Sequence, residues 1–414
     1  MAKRIGLLTG GGDAPGQNVC LKALVYNAID RGYQVVGIRK GWEGLMYYQP
    51  ENSTTHADNV MILTKARVRD IDRWGGSFLH SSRLHPGQVP PEAMPAFLQS
   101  RKKGDQPVDI TDHVKQVLNK LQLDALVVLG DRATLDYAAR LSKEGIPLIG
   151  IPKTVHNNVN GSDYCLGFST AMARGVHFVQ EIRAMAGSRE EVAVIEILGR
   201  STGLTTLIIS LLASADRTLI PEVPFDPEAL ALLLMDDKRS NPNNYSILVM
   251  SEASSIVPEK AQKYLPELSR LARSRTLAAA MTTQDKAGVE GHIVQDLKGS
   301  REIGSRVIGS GAVVTEILEN LTGQRLLLQP LSYLIRTGEP DGQDLLGAMN
   351  FATLATNLLV AGQTGRLIAY RQGANYVDVP LDVVTQPATH INITDHYDAK
   401  LYTPKSSILW AARV

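Results

Sequence analysis

The sequence predicts a soluble α/β protein made of two doubly wound domains, each a three-layer α/β/α sandwich. Three observations point there. Short apolar runs alternate with longer amphipathic stretches along most of the chain. The apolar runs lack internal alternation and are bounded by Gly and Pro, the pattern of strands covered on both faces. The rhythm also recurs too often for one sheet, and repeated βαβ units imply parallel strands joined by right-handed crossovers.

The elements follow in order. Lys3–Thr9 reads as a buried strand, Pro15–Asp30 as the helix after it, and Gln34–Arg39 as the next strand. Pro50–Asp109 is rich in Pro, Gly and charge and reads as an elaborated loop region. Strand Ala125–Leu129, a helix from about Thr134 to Lys143 and strand Pro147–Ile151 continue the first set. A second set comprises strand Val192–Leu198, helix Leu204–Ser214, strand Thr218–Glu222, helix Pro227–Met235 and strand Tyr245–Ser251. Asn241–Asn244 reads as a turn, and Gln284–Ser310, with several glycines and little periodicity, as a loop-rich insertion. There is no internal repeat and no low-complexity tract.

Composition narrows the function classes. The 414 residues carry 43 Lys+Arg against 42 Asp+Glu, a formal charge of +1, with 44% hydrophobic and 5% aromatic residues. Near-neutral charge gives no support to nucleic-acid or membrane-surface binding through bulk electrostatics. No apolar run reaches the roughly 20 residues of a membrane span, and Met1-Ala2-Lys3-Arg4 leads into a strand rather than a signal peptide. Cys20 and Cys165 cannot build a disulfide framework. A cytoplasmic location is the expectation.

The chemistry is expected where strands end. Gly10-Gly11-Gly12-Asp13-Ala14-Pro15-Gly16-Gln17-Asn18 joins the first strand to the first helix. Glycines there let the backbone approach an anion at a helix N-terminus, and Pro15 suits a first helical turn. A tight turn with no ligand is the other reading. With Gly75-Gly76-Ser77-Phe78-Leu79-His80-Ser81-Ser82-Arg83, Pro152-Lys153-Thr154, Gly161–Phe168 and Gly199-Arg200, the motif resembles the phosphofructokinase family over nearly the whole chain. Lys153 and the stretch Tyr333–Asp341 resemble the pyrophosphate-dependent, long bacterial branch.

The resemblance implies two Rossmann-like domains with the active site in the cleft between them. Residues 1–167 with about 335–385 are the implied phosphoryl-donor domain, and 168–334 with about 386–414 the sugar-phosphate domain. It implies phosphoryl transfer from ATP or pyrophosphate to the 1-hydroxyl of fructose 6-phosphate, in glycolysis. It also implies a homodimer or homotetramer. An active enzyme takes Mg²⁺; an inactive one needs no cofactor. The reaction needs a carboxylate base, a carboxylate on the metal and arginines on the phosphates.

Residue by residue, this sequence departs from that requirement. Gly130-Asp131-Arg132-Ala133 places Arg132 where the family has its metal-binding Asp. A guanidinium has no lone pair for Mg²⁺ but can neutralise a phosphate directly. Asp131 is one position away, and adjacent side chains at a strand end point different ways. After Pro152-Lys153-Thr154-Val155, His156 replaces the general base and Asn158 the second acid. Histidine can act as a base, but its nitrogens sit elsewhere than a carboxylate's oxygens, and about 1 Å of misplacement costs roughly 100-fold. Glu191 and Leu327 stand where the family has sugar-phosphate arginines, with Arg325 two residues from the second. His80 stands at a family glycine beside the donor phosphates, where its ring is expected to crowd the approach.

Other positions match. Gly11, Gly12, Asp13, Arg83 and Ala133 correspond to donor-side residues, Lys153 to the pyrophosphate lysine, Thr154 and Arg200 to active-site positions, and Glu252 and Arg336 to sugar contacts. Arg200 pairing with an acid, or Glu252 as a solvated strand end, is the purely structural reading. His85, His113, His177 and His390 lack metal-ligand spacing and read as structural. There is no Walker A pattern. Gly199-Arg200-Ser201-Thr202-Gly203 matches a hydrolase nucleophile elbow, but the full-length resemblance outweighs five residues. Arg174, Arg183 and Arg189 read as a solvated helix face.

Two readings stay open. One is an inactive family member that binds a phosphate, pyrophosphate or nucleotide anion, or an active paralogue as partner subunit. The other is a working phosphotransferase using His156 as base, with Asp131 or the donor itself holding Mg²⁺.

Overall fold

The structure is a computed structural model and describes residues 3–102, 104–199, 202–264, 310–387 and 391–405. The chain divides into two compact units, Met1–Ala171 with Arg336–Ala388, and Met172–Ile335 with Thr389–Val414.

The first unit is built on a seven-stranded sheet. Its strands are β1 (Arg4–Thr9), β2 (Gln34–Ile38), β3 (Val60–Leu63), β4 (Ala125–Gly130) and β5 (Leu148–Pro152), with two later ones over Arg366–Arg371 and Asn375–Pro380. Strands β2, β1, β4, β5 and Arg366–Arg371 run parallel in that spatial order. Every residue of β4 and β5 is buried, which requires cover on both faces. Alternation supplies it. Leu8, Leu126, Val128 and Leu148 share a core with Val114 and Val117 of helix Thr111–Leu121 and Leu135, Ala138 and Leu141 of helix Arg132–Lys143. Helices Gln17–Asp30 and Gly342–Val360 pack against each other, the second also lying on β5.

The sheet is not wholly parallel. β3 pairs antiparallel with β2 at one edge, and Asn375–Pro380 pairs antiparallel with Arg366–Arg371 at the other. β3 lies inside the stretch that reads as loop from sequence. Four apolar residues, Val-Met-Ile-Leu, are too few to show a period, yet they suffice for a short edge strand.

In the second unit, β6 (Val192–Ile197), β7 (Arg217–Leu219), β8 (Ser246–Ser251) and β9 (Leu326–Pro330) form a parallel sheet in the order β7-β8-β6-β9. β7 stops short of the expected Glu222. Pro221 follows it, and the Glu222 carboxylate turns to accept the Gly203 amide at 2.9 Å, at the entry to helix Leu204–Leu212. Helix Pro227–Ser240 runs beyond the expected Met235, because its last turn is charged and carries no apolar period. Lys238 and Arg239 there suit a helix C-terminus. Asp226 caps its start, accepting from the amides of Glu228 and Ala229, an arrangement typically worth about 1 kcal/mol.

The expected solvated arginine face on helix Phe168–Arg189 is only partly solvated. Arg174 donates to the Leu334 carbonyl at 2.8 Å, and Arg183 to the carbonyls of Ala213 and Ser214. No helix among the described residues is long and apolar enough to cross a membrane.

Candidate functional site

In the first unit the loop after β1 passes between charged groups. The amides of Gly10 and Gly11 donate to the carbonyls of Leu129 and Ser82, tying the loop to the end of β4 and to the segment carrying Arg83. Gly11 has φ 78°, and a Cβ there would overlap the Asp131 carboxylate. A Cβ on Gly12 would lie 2.7 Å from Arg336 Nη1 and 3.3 Å from Arg83 Nη2. Glycine is therefore required where the backbone meets a carboxylate on one side and two guanidiniums on the other.

Lys153, at the end of β5, is fully buried and donates from Nζ to the Gly12 carbonyl at 2.6 Å. Burial pushes its ammonium down to about 8, and the guanidiniums of Arg336 and Arg83 add to this while Asp131 and Asp13 oppose it. Among the described residues, three cations and two carboxylates thus act together around Gly12. Arg336 is 7% exposed; Nη1 donates to the Asp13 carbonyl at 3.3 Å and Nη2 contacts His156 Nε2 at 2.9 Å.

A guanidinium only donates, so in that contact Nε2 of His156 accepts. The residue that the resemblance sets at the family's base position therefore has its Nε2 lone pair engaged by Arg336. Nearby, Thr154 Oγ1 accepts from the His156 amide at 3.2 Å and donates to Asn158 Oδ1 at 3.4 Å. Asn157 takes a left-handed backbone, φ 50°, which Asn tolerates better than most residues.

The acidic residue next to Arg132 does a structural job. Asp131 Oδ1 caps helix Arg132–Lys143, accepting from the Thr134 amide at 3.1 Å and the Thr134 hydroxyl at 2.8 Å. Arg132 does not meet the expectation of a phosphate ligand in this conformation: its Nη2 donates to the Gln386 carbonyl at 2.7 Å. Ala133 is exposed on the same first turn. His80 also departs from expectation. Its backbone keeps the left-handed form a glycine would have, φ 58°, but its ring turns to Arg39, whose Nη2 donates to Nε2 at 2.9 Å.

Among the described residues the donor set fits Mg²⁺ poorly: Asp131 Oδ1 is committed to Thr134 and Asp13 Oδ1 accepts from Gln17 at 3.3 Å, which leaves one carboxylate oxygen on each, and Lys153, Arg83 and Arg336 supply positive charge beside both acids. No group of three His, Cys, Asp or Glu suited to a metal occurs among the described residues.

The remaining candidates lie in the second unit. Glu252 follows β8, and its carboxylate accepts the Gly199 amide at 3.4 Å. Glu191 directly precedes β6. Leu327 lies within β9 rather than ahead of a strand, in register with Ala193. Arg200, Ser201 and His390 lie outside the described residues. The other histidines are structural: His85 Nδ1 accepts the Gly87 amide, His113 is buried near Phe97, and His177 pairs with Glu181 on the surface.

Sequence reasoning missed two supports. Gln17 and Asn18 are buried and bind the carbonyls of Gly76 and Trp74, holding the segment that leads to His80. The Asp344 carboxylate, also buried, accepts from the Tyr164 hydroxyl, the Gly167 amide, and the Thr170 amide and hydroxyl, fixing the start of helix Phe168–Arg189. Neither has a local sequence signal, since the partners lie up to 180 residues apart.

The chain is 29% identical over 402 residues to ATP-dependent 6-phosphofructokinase of Chloroflexus aurantiacus, covering 96% of this chain and 95% of that protein. It is 30% identical over 402 residues to pyrophosphate–fructose 6-phosphate 1-phosphotransferase of Dictyoglomus thermophilum, covering 97% and 99%. Among solved structures, pyrophosphate-dependent phosphofructokinase from Nitrosospira multiformis superposes with TM-score 0.71 at 14% identity, over 98% of this chain and 89% of that one. That likeness concerns the fold alone. The family profile described as Phosphofructokinase matches residues 4–359, and the chain belongs to that family.

Proposed function

We propose that this chain is a phosphofructokinase-family protein that has lost phosphoryl transfer and keeps an anion pocket for phosphate, pyrophosphate or a nucleotide. The role is regulatory or structural, in a homo-oligomer or beside an active paralogue. One observation carries the reading. His156, which the resemblance sets at the family's base position, has its Nε2 engaged as acceptor by Arg336. To take a proton from a sugar hydroxyl there, Nε2 must first release the guanidinium. Loss of a general base costs roughly 10²–10⁴-fold by itself.

The rest of the pocket supports anion binding without a metal. Lys153, Arg83 and Arg336 converge on Gly12, and arginine can supply a metal's charge but not its coordination. On the sugar side, Glu191 repels a phosphate and Leu327 offers no charge, so fructose 6-phosphate binds weakly. Calorimetric titration in EDTA tests the reading. Pyrophosphate or a nucleotide should bind, and Arg83→Ala should weaken that binding about tenfold or more, the worth of one charge-assisted hydrogen bond. No heat with phosphate, pyrophosphate or nucleotide at millimolar concentration would contradict it.

A further inference from the structure

We infer that the segment Ala96–Arg101 is an acid-released strap: protonating His113 beneath it loosens its hold on the first unit. Two side chains fasten it to the start of helix Thr111–Leu121. The Phe97 ring lies 5.3 Å from the His113 imidazole, centre to centre, and Arg101 Nη1 donates to both Asp112 carboxylate oxygens at 2.7 Å. Beneath the strap, Leu98 packs with Met46, Met94, Val108 and Ile110 in a small apolar cluster of its own. His113 is 4% exposed, and its Nε2 is buried without a hydrogen-bond partner. A bare lone pair can be left there; an N–H carrying positive charge is far more costly.

The closed strap opposes that proton in other ways too. His113 sits in the first turn of its helix, where the dipole disfavours positive charge. Arg101 adds a like charge from the strap, so burial and Arg101 together push the imidazole below its ordinary value. The Asp112 carboxylate and the carbonyls of Met46 and Tyr48 favour the charge, but Asp112 is already held by Arg101. Farther out, Asp109 is bound by Thr111 and Arg140, while His56 stacks on Tyr48 with Nε2 at the Gln49 carbonyl. With the strap lifted, the ring meets water and titrates near the ordinary value of about 6.5. The closed form is therefore at full strength above that pH. It weakens as pH falls below it, by about tenfold per unit, until the closed form itself takes the proton.

Hydrogen exchange of the full chain, read by mass spectrometry at about pH 7.5 and about pH 5.5, tests the strap across the range in which an ordinary histidine titrates. Protection is expressed relative to unstructured peptide at the same pH. Over residues 96–101 it should fall about tenfold at the lower pH, while β4 keeps its own. His113→Phe, which fills the site without titrating, should lose most of that fall. A parallel readout is NMR of the ¹⁵N-histidine-labelled protein. His113 should titrate below about 6.5 in the wild type, and higher in Arg101→Gln, which removes the like charge. An equal fall in wild type and His113→Phe, or an equal fall in β4, overturns the strap. So does a His113 titration at or above about 6.5. If His113→Phe does not fold, the wild-type and Arg101→Gln titrations decide.

Discussion

Replacing Lys153 by Met should change how stability depends on pH, by an amount the structure sets. The Lys153 ammonium is fully buried, and its folded value is about 8 against 10.5 for an ordinary lysine. That difference is worth about 3 kcal/mol. The sign follows from proton binding. Below pH 8 both folded and unfolded chains are protonated there, and the fold bears the full cost of the buried charge. Between pH 8 and 10.5 the unfolded chain holds more of the proton, so stability rises with pH through that window. Lys153→Met removes the group and its slope. Urea denaturation of both proteins at about pH 7.5 and about pH 10.5 reads the difference. Relative to Lys153→Met, the wild type should gain about 3 kcal/mol over that interval. At the lower pH the variant should be at least as stable, since the lost bond to the Gly12 carbonyl, about 1.5–3 kcal/mol, offsets the gain only in part or fully. Parallel pH profiles for the two proteins would refute the burial argument and the charge cluster built on it.

Two further outcomes are expected. Arg132→Asp should change pyrophosphate affinity in EDTA by less than about threefold, far below the effect of Arg83→Ala, because Arg132 is bonded to the Gln386 carbonyl; equal losses in calorimetry would return Arg132 to the pocket. Asp344→Ala leaves the Tyr164 hydroxyl, the Gly167 amide and both Thr170 donors without their acceptor, and should lower stability by about 3 kcal/mol or more. A loss under about 1 kcal/mol in urea would show that the network reorganises freely.

The strands that position the site were readable because burial on both faces leaves unbroken apolar runs, as in β1, β4 and β5. The short and the late strands were not. β3 is four residues long, Asn375–Pro380 is an edge strand with no buried residue, and Arg366–Arg371 buries only its middle three residues between charged and polar ones. Helix Gly342–Val360 was hidden for the opposite reason: it is largely apolar, with Leu345, Leu346 and Met349 exposed, so no polar stripe marks its face. In the site, the glycine loop and Lys153 were legible from residue type at strand ends. The Arg336 contact with His156 spans 180 residues and has no local signal. Asp131 had one: an Asp before a helix with Thr three residues on is a cap, and that role competes with metal binding. Arg132 was read by charge alone, whereas its place on the first helical turn leads it to a main-chain carbonyl.

The most direct measurement is turnover of the purified full chain with fructose 6-phosphate and either ATP or pyrophosphate, in excess Mg²⁺, followed by release of fructose 1,6-bisphosphate. On the proposed reading, the base position is held by a histidine whose Nε2 is engaged with Arg336, and the metal position by an arginine. Turnover should therefore be absent, or lower than the usual kinase range of about 1–100 s⁻¹ by several orders of magnitude. A rate within about tenfold of that range, with either donor, would contradict the loss of phosphoryl transfer.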